Sequence, residues 1–258
     1  MPYPFFVRPI RRSVQTTPER SGRRLLSVVA ATSLIISGAS AQGDAAKTTP
    51  VGTSVVLGRV NGVVIEVKVQ SPSSETTPLQ TVCVFEYTAG DIFDSPPALP
   101  RELNGMVHVD DALKGLITDL RKSGKFAGHA YETLLLTPPA GTIPAQRLLL
   151  IGLGDRNKFT ADLMTDIGRV GMREALRLGV SSYSHASDLK DAGIDSPAGE
   201  VAQNVVRGAL EAYETELYLR SKHASVTKPI TKLTLLTGPA FFTPSADAIK
   251  AYLASHGN

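Results

Sequence analysis

The sequence contains no tryptophan and a single cysteine, Cys83. One thiol cannot form an intrachain disulfide, so this kind of cross-link is excluded as a source of stability. The residues around Cys83, from Val82 to Phe85, are apolar, and such a setting is typical of a cysteine buried as a small hydrophobic residue. A reactive thiolate would need basic neighbours and partial exposure, which this run does not offer.

Patterns that carry catalysis or bind metals are also missing. Neither His-Glu-x-x-His nor Gly-x-Ser-x-Gly occurs. Neighbouring side chains on a helix point about 100° apart, so Asp110 and Asp111 do not converge, and we interpret them as acids near the start of a helix. Each histidine is interpreted as a surface or loop residue, and no metal or cofactor is expected. The histidines are His108, His129, His185, His223 and His256.

Excess positive charge is confined to the first 41 residues. This segment holds six of the 27 basic residues and one of the 24 acidic residues, so the remainder has 21 basic against 23 acidic side chains. A nucleic-acid-binding domain needs clustered basic residues, and the remainder shows no basic run. Nucleic acid is therefore not an expected partner.

The first 41 residues have the three parts of a secretory signal peptide. An Arg-rich segment ends at Arg23-Arg24, residues 25–36 are apolar and uncharged, and Ala39-Ser40-Ala41 forms a small-x-small cleavage site. The apolar stretch is shorter than the ~20 residues of a transmembrane helix. We therefore predict cleavage between Ala41 and the next residue, a periplasmic or secreted protein, and no stable membrane span after cleavage. A retained signal anchor is the alternative, and the paired arginines also fit a twin-arginine export signal.

The rest of the chain alternates strand and helix patterns. Asn61-Gly62 between two apolar runs predicts a β-hairpin. The alternation predicts an α/β fold with a mixed, mostly parallel sheet flanked by helices on both faces. The predicted strands cover residues 55–57, 63–69, 81–87, 131–137, 147–151, 180–184 and 232–236. The predicted helices are residues 109–121, a segment capped by Thr160 and ended by Gly179, a segment opened by Ser196-Pro197, and residues 244–253.

A glycine-containing turn follows the buried strand at residues 147–151. Asn157 stands where a dinucleotide-binding loop would have its third glycine, and no acidic residue follows in the expected context. Two interpretations stay open: a tight strand-to-helix connection, or a cradle whose backbone amides hold an anion. The candidate ligand-binding residues are Gly152, Gly154, Asp155 and Arg156.

Residues 146–160, with the sequence QRLLLIGLGDRNKFT, resemble a strand and turn in the N-terminal domain of leucyl (cytosol) aminopeptidases. The segments SGKFAG at 123–128 and GALEAY at 208–213, and the strand at 232–237, resemble further parts of that domain in the same order. The resemblance covers residues 62–240 and implies a macro-domain-like α/β fold. The assigned regions are a signal peptide at 1–41, a linker at 42–54, the domain at 55–240, and the start of an interdomain linker helix or tail at 241–258.

The resemblance implies three functions. In the family, the catalytic and metal-binding residues lie in a C-terminal domain whose signature sequences have no counterpart here, so none can be carried over. The first function is an exported, non-catalytic binding or assembly module, with a peptidase catalytic subunit or another copy of the chain as partner. The second is a fragment or subunit of a split metalloaminopeptidase. The third is an ADP-ribose-type small-molecule binder that uses loops 152–156 and 90–94.

Overall fold

The structure is a computed structural model, and it describes residues 48–88, 98–187 and 189–256. These residues belong to one compact unit that runs from Asp44 to Asn258. The predicted signal peptide, with its cleavage residues Ala39 and Ala41, lies outside the described residues, and so does the loop at 90–94. Within the described ranges, no helix is both long and apolar enough to cross a bilayer.

Seven strands form one mixed sheet. Its order is β1-β2-β7-β6-β3-β5-β4. The five central strands run parallel, and each edge strand is antiparallel to its neighbour. This arrangement confirms the predicted fold class. The strands are β1 (Ser54–Val60), β2 (Val63–Val69), β3 (Gln80–Val84), β4 (Thr133–Leu136), β5 (Leu148–Gly152), β6 (Ser182–Ala186) and β7 (Lys232–Thr237).

Helices cover both faces of this sheet. They are α1 (Gly105–Ala112), α2 (Leu116–Lys122), α3 (Leu163–Arg177), α4 (Ala198–Ser221) and α5 (Phe242–His256). The connection from β5 to β6 through α3 and the connection from β6 to β7 through α4 both run toward the β1 edge of the sheet. The connection from β3 to β5 runs toward the β4 edge. Because such crossovers are right-handed, α3 and α4 share one face and α1 and α2 lie on the opposite one. Helix α4 packs between α3 and α5, and α5 also contacts β1 and β2.

The predicted hairpin is confirmed. It joins β1 and β2 through Asn61 and Gly62, whose φ angles are 51° and 87°. Positive φ at both central residues is the geometry of the two-residue turn that matches the twist of paired strands. The antiparallel register runs from the Val60–Val63 pair to the Ser54–Lys68 pair, with an irregularity between Val56 and Gly58.

The single helix predicted at 109–121 is wrong, because the chain forms two helices there. Lys114 and Gly115 have φ angles of 60° and 81°, which ends the helical path between α1 and α2. Asp110 stabilises the new start: its carboxylate accepts hydrogen bonds from the Ile117 amide at 2.8 Å and the Thr118 hydroxyl at 2.5 Å. Asp110 therefore lies late in α1 and caps α2, whereas the apolar periodicity continues through the break.

The predicted cap of α3 is also wrong. Thr160 accepts a hydrogen bond from the Leu163 amide through its backbone carbonyl, at 3.1 Å. The helix begins at Leu163, and Asp162 before it makes no side-chain capping bond. A turn at 160–163 therefore leads into the helix, where a direct cap by Thr160 was expected.

Helices α3 and α4 cross at two glycines. A Cβ atom on Gly208 would lie 1.8 Å from the carbonyl oxygen of Thr165, and one on Gly168 would lie 2.1 Å from that of Val205. No side chain fits in such a gap, so the two backbones can pack directly against each other only because both positions lack a Cβ atom.

The sheet interior holds a histidine that we had expected on a surface or in a loop. His185 on β6 is fully buried, and burial lowers its pKa to about 4, so the ring is neutral near pH 7. Its Nδ1 lies 2.7 Å from the Thr81 hydroxyl, and its Nε2 lies 3.8 Å from the Cys83 sulfur. Cys83 itself is buried, as predicted. These partners come from β3, which is paired with β6, so only the strand order brings them together.

Candidate functional site

A crevice of about 460 Å³ opens at the carboxyl ends of three neighbouring parallel strands. Val69, Ala186 and Thr237 are the last residues of β2, β6 and β7, and all three line it. Ligands of open α/β sheets bind at this end of the strands, and the volume lies in the range of small-molecule sites. The walls are mainly apolar. Representative side chains are Leu103, Leu189, Val201, Leu235 and Phe241.

A partly buried carboxylate lies at one wall of the crevice. Asp191, in the loop between β6 and α4, accepts a hydrogen bond from the Met106 amide at 3.0 Å, and its backbone carbonyl accepts one from the Asn104 side chain at 3.1 Å. Desolvation raises the pKa of Asp191 to about 6, against the opposing effect of amides at the start of α1 and of nearby His108. This side chain therefore fixes the amino-terminal end of α1 beside the crevice.

The side chains of Asn104 and Asp191 accept hydrogen bonds from the backbone amides at the start of α1. Asn104 accepts a hydrogen bond from the Val107 amide at 3.0 Å, while Asp191 accepts from Met106. The free amides of a helix start are the groups that usually attract an external anion. Here the protein supplies its own acceptors, so α1 offers no vacant anion site to the crevice.

One hydroxyl at the strand ends lacks a partner. The Oγ1 atom of Thr237 is shielded from solvent and makes no hydrogen bond within the described part of the chain. A buried hydroxyl without a partner loses its hydration and gains nothing in return. A bound molecule could satisfy this donor if rotation of the Thr237 side chain turns the hydroxyl toward the crevice.

Replacing Thr237 with valine should stabilise the unliganded protein by about 1 kcal/mol, because the change removes an unsatisfied buried hydroxyl. Thr234→Val on the same strand is the matched control. Its hydroxyl donates to Glu66 at 2.9 Å, so this second change should destabilise the protein by a similar amount. Urea unfolding of the two variants measures both free energies, and two changes of the same sign would contradict the assignment.

The charged residues of the crevice leave it net negative. Glu102 and Asp191 supply two carboxylates, and Lys190 is the one lysine among the described lining residues. Lys190 makes a 3.2 Å ion pair with Asp195 and lies 5.9 Å from the ring centre of Phe241. Part of its charge is therefore already compensated.

The predicted ligand-binding turn lies beside another cleft, after β5. A Cβ atom on Gly152 would lie 2.0 Å from the His129 carbonyl oxygen, so this glycine permits close contact with the preceding loop. The Gly154 amide donates to the Gly128 carbonyl at 2.8 Å. Asp155 accepts from the Asn157 amide at 2.9 Å, which lowers the pKa of the Asp155 carboxyl. The described contacts of the two glycines thus hold the turn against the chain at residues 128 and 129.

Arg156 points away from that turn and toward the crevice loop. Its guanidinium donates to the Ala192 carbonyl at 3.0 Å, one residue beyond Asp191. This bond connects the loop after β5 with the loop after β6. Of the four candidate residues, Arg156 is thus the one that contacts the loop carrying Asp191.

The cleft beside Gly154 is open and has a volume of about 540 Å³. Four carboxylates and one lysine line it: Glu86, Asp155, Asp162, Asp166 and Lys158. An excess of negative charge repels anions. Anion binding at the Gly154–Arg156 amides stays a prediction, and the surrounding charge opposes it.

No group of three or more histidine, cysteine, aspartate or glutamate side chains is placed to hold a metal ion in the described ranges. The Nδ1 atom of exposed His129 lies 2.6 Å from the Glu86 carboxylate. Hydrogen bonding to Glu86 raises the pKa of this histidine. A pair of this kind is an ordinary surface interaction.

The crevice could not be located from the sequence. Its wall residues come from segments around positions 51, 70, 103, 190 and 240, which no local pattern connects. The available signal was the general rule that ligands bind at the carboxyl ends of parallel strands. Applying it requires the strand order, which the sequence alone did not supply.

Comparison with solved structures shows the macrodomain fold. The Oceanobacillus iheyensis macrodomain with ADP superposes with a TM-score of 0.50 at 14% sequence identity, over 79% of this chain and 98% of that one. At such low identity the similarity describes the fold alone.

Comparison with sequences shows the family. The probable cytosol aminopeptidase of Nitrosococcus oceani is 30% identical over 139 residues, which cover 54% of this chain and 27% of that protein. The one from Geobacter sp. strain M21 is 31% identical over 155 residues, 60% of this chain and 28% of that protein. The chain thus matches less than a third of these relatives' length. The family model for the N-terminal domain of the cytosol aminopeptidase family matches residues 94–222, and the chain belongs to this family.

Proposed function

We propose that the chain acts as a non-catalytic binding module whose bound molecule occupies the crevice at the ends of β2, β6 and β7. The observation that carries this proposal is the crevice itself, an apolar cavity of about 460 Å³ with a partly buried carboxylate and an unsatisfied hydroxyl in its lining. An apolar cavity with a few converging polar groups is the usual form of a small-molecule site.

The non-catalytic part of this proposal concerns metal-dependent peptide hydrolysis. In the described ranges no cluster of carboxylates and histidines could hold a metal ion, and a two-metal hydrolase needs several such ligands. The test is hydrolysis of leucine 4-nitroanilide by the full chain with added Mn²⁺ or Zn²⁺. We expect no release of nitroaniline above the buffer rate. Hydrolytic activity that co-elutes with the chain on successive columns would overturn this part of the proposal.

Binding is tested by soaking crystals of the full chain with a library of small fragments. We expect fragments to collect in the crevice in preference to the open cleft beside Gly154. Fragments that occupy only that cleft, or none of the cavities, would count against the crevice as the binding site. The same experiment tests the anion cradle at Gly152–Arg156.

We also propose that the protein acts outside the cytoplasm, on the basis of the signal-peptide pattern of residues 1–41. The mature protein in the periplasm or medium should begin at Gln42. Replacing Ala39 and Ala41 with leucine should make the unprocessed chain accumulate, because signal peptidase requires small residues at these positions. An intact amino terminus on unmodified protein in the cytoplasm would contradict export.

Assembly is the second candidate function, and exposed apolar residues at the β1 edge favour it. Val51 is 70% exposed and Val56 is 60% exposed, and edge strands with exposed apolar residues favour association. The partner would be another copy of the chain or a peptidase catalytic subunit. For self-association, sedimentation should show a dimer that Val56→Lys converts to monomer. Tyr218→Lys, at an equally exposed site on α4, should leave the dimer intact, and a monomeric unmodified chain would exclude self-association.

A further inference from the structure

The crevice has apolar walls along most of its length. Leu235 and Leu236 of β7 and Val201 of α4 are buried in the core and also contribute to its lining, whereas Leu103 stands at the mouth and is 63% exposed. A molecule that enters would exchange water for hydrocarbon over much of its surface. Removal of apolar surface from water is worth about 25 cal/mol per Å², so an apolar body is favoured.

The crevice disfavours negative charge for two reasons. Its described lining has two carboxylates, Glu102 and Asp191, against one ammonium group, that of Lys190. In addition, the amides that start α1 are bonded to the side chains of Asn104 and Asp191. A phosphate or carboxylate group in the crevice would therefore meet repulsion and find no free helix start to bind it.

A positive charge would lose its hydration against the mainly apolar walls of the crevice. The Asp191 carboxylate already accepts a hydrogen bond from the Met106 amide of α1. Among the described lining residues, Thr237 has a buried hydroxyl without a hydrogen-bond partner. A neutral acceptor such as a carbonyl or an ether oxygen would satisfy it once the side chain turns toward the crevice.

We propose that the crevice binds an uncharged, largely apolar small molecule with a hydrogen-bond acceptor, and that anionic molecules, phosphate-bearing nucleotides included, bind at least about tenfold more weakly. This inference rests on the proposed function, because it assigns a ligand class to the same crevice. It also separates the chain from the macrodomain that was solved with ADP.

Two fluorescent probes with the same ring system test the ligand class. N-Phenyl-1-naphthylamine is neutral, and 1-anilinonaphthalene-8-sulfonate adds one sulfonate. The full chain should bind the neutral probe saturably at one site, and the sulfonated probe about tenfold more weakly or worse. Millimolar ADP should not displace the neutral probe. Asp191→Asn should raise the affinity for the sulfonated probe relative to that for the neutral probe, since it removes a repelling charge.

A pair of variants locates the bound probe. Leu103→Asp places a carboxylate at the mouth of the crevice and should weaken the neutral probe about tenfold, while its exposed position leaves the fold intact. Val226→Asp adds the same charge at a fully exposed position outside the crevice lining and should change nothing.

Two different failures can be told apart. If the sulfonated probe binds as tightly as the neutral one, and Leu103→Asp weakens both, the crevice is a binding site but the inferred ligand class is wrong. If neither probe binds, or if Leu103→Asp and Val226→Asp behave alike, the crevice itself is not the site and the proposed function fails with the inference.

Discussion

Gly208→Ala is expected to lower the free energy of unfolding by about 3 kcal/mol, at the upper end of the usual effect of overpacking. The added Cβ atom would lie 1.8 Å from the Thr165 carbonyl oxygen. The obstacle is backbone, so α3 and α4 must separate and lose packing along their contact. For a domain of this size the melting temperature should fall by roughly 10 °C, which differential scanning calorimetry measures directly.

Gly171→Ala is the matched control on α3. The nearest atom to its added Cβ would be a Tyr183 ring carbon at 3.8 Å, an ordinary contact distance. Alanine is favoured over glycine inside a helix by up to about 1 kcal/mol, so this change should be neutral or stabilising. Equal destabilisation by both variants would contradict the close crossing of α3 and α4.

Asp191→Asn is expected to change how stability depends on pH. Burial raises the pKa of Asp191 from 3.8 to about 6, so the folded chain binds a proton more readily than the unfolded chain. The stability from this group is therefore fully present below pH 3.8 and is lost as the pH rises through 6. Between pH 8 and pH 5 the protonation of Asp191 should raise the free energy of unfolding of the unmodified chain by about 1.4 kcal/mol. The variant should lack this increase.

Urea unfolding measures the free energy of unfolding of both proteins at pH 8 and at pH 5. The difference between the two proteins is then compared at the two pH values. His185 has the opposite effect, since its pKa is lowered to about 4 and its stabilisation is lost on acidification. That contribution is common to both proteins and cancels. Asp195→Asn, at a fully exposed carboxylate five residues from Lys190, should show no such difference. If the free energies of unfolding of Asp191→Asn and the unmodified chain differ by the same amount at both pH values, the raised pKa of Asp191 is contradicted.

The local part of the fold could be predicted because the signals were local. Asn61-Gly62 specifies a turn with two positive φ angles, and the apolar run at 148–152 forms a strand buried on both faces. The break between α1 and α2 could not be predicted in the same way. Its apolar spacing is helical on both sides, and the capping bond from Asp110 reaches seven residues ahead.

The candidate site depended on contacts that no sequence spacing reveals. Asp191 follows β6 and meets α1 about 85 positions earlier in the chain, and Thr237 ends β7. Their juxtaposition follows from the order β2-β7-β6 in the sheet. The glycine turn at 152–154 resembles a ligand-binding loop in sequence. In the structure its glycines permit close backbone contact with residues 128–130. A pair of glycines in a turn therefore indicates close packing of the backbone as often as it indicates a ligand-binding site.

The proposals above depend on a neutral apolar molecule bound in the crevice at the ends of β2, β6 and β7. The most direct test of this binding is a crystal structure of the full chain with N-phenyl-1-naphthylamine. We expect the aromatic rings to lie between Leu103 and the end of β7, with the start of α1 unchanged. Rings bound in the open cleft beside Gly154, with the crevice empty, would contradict this expectation.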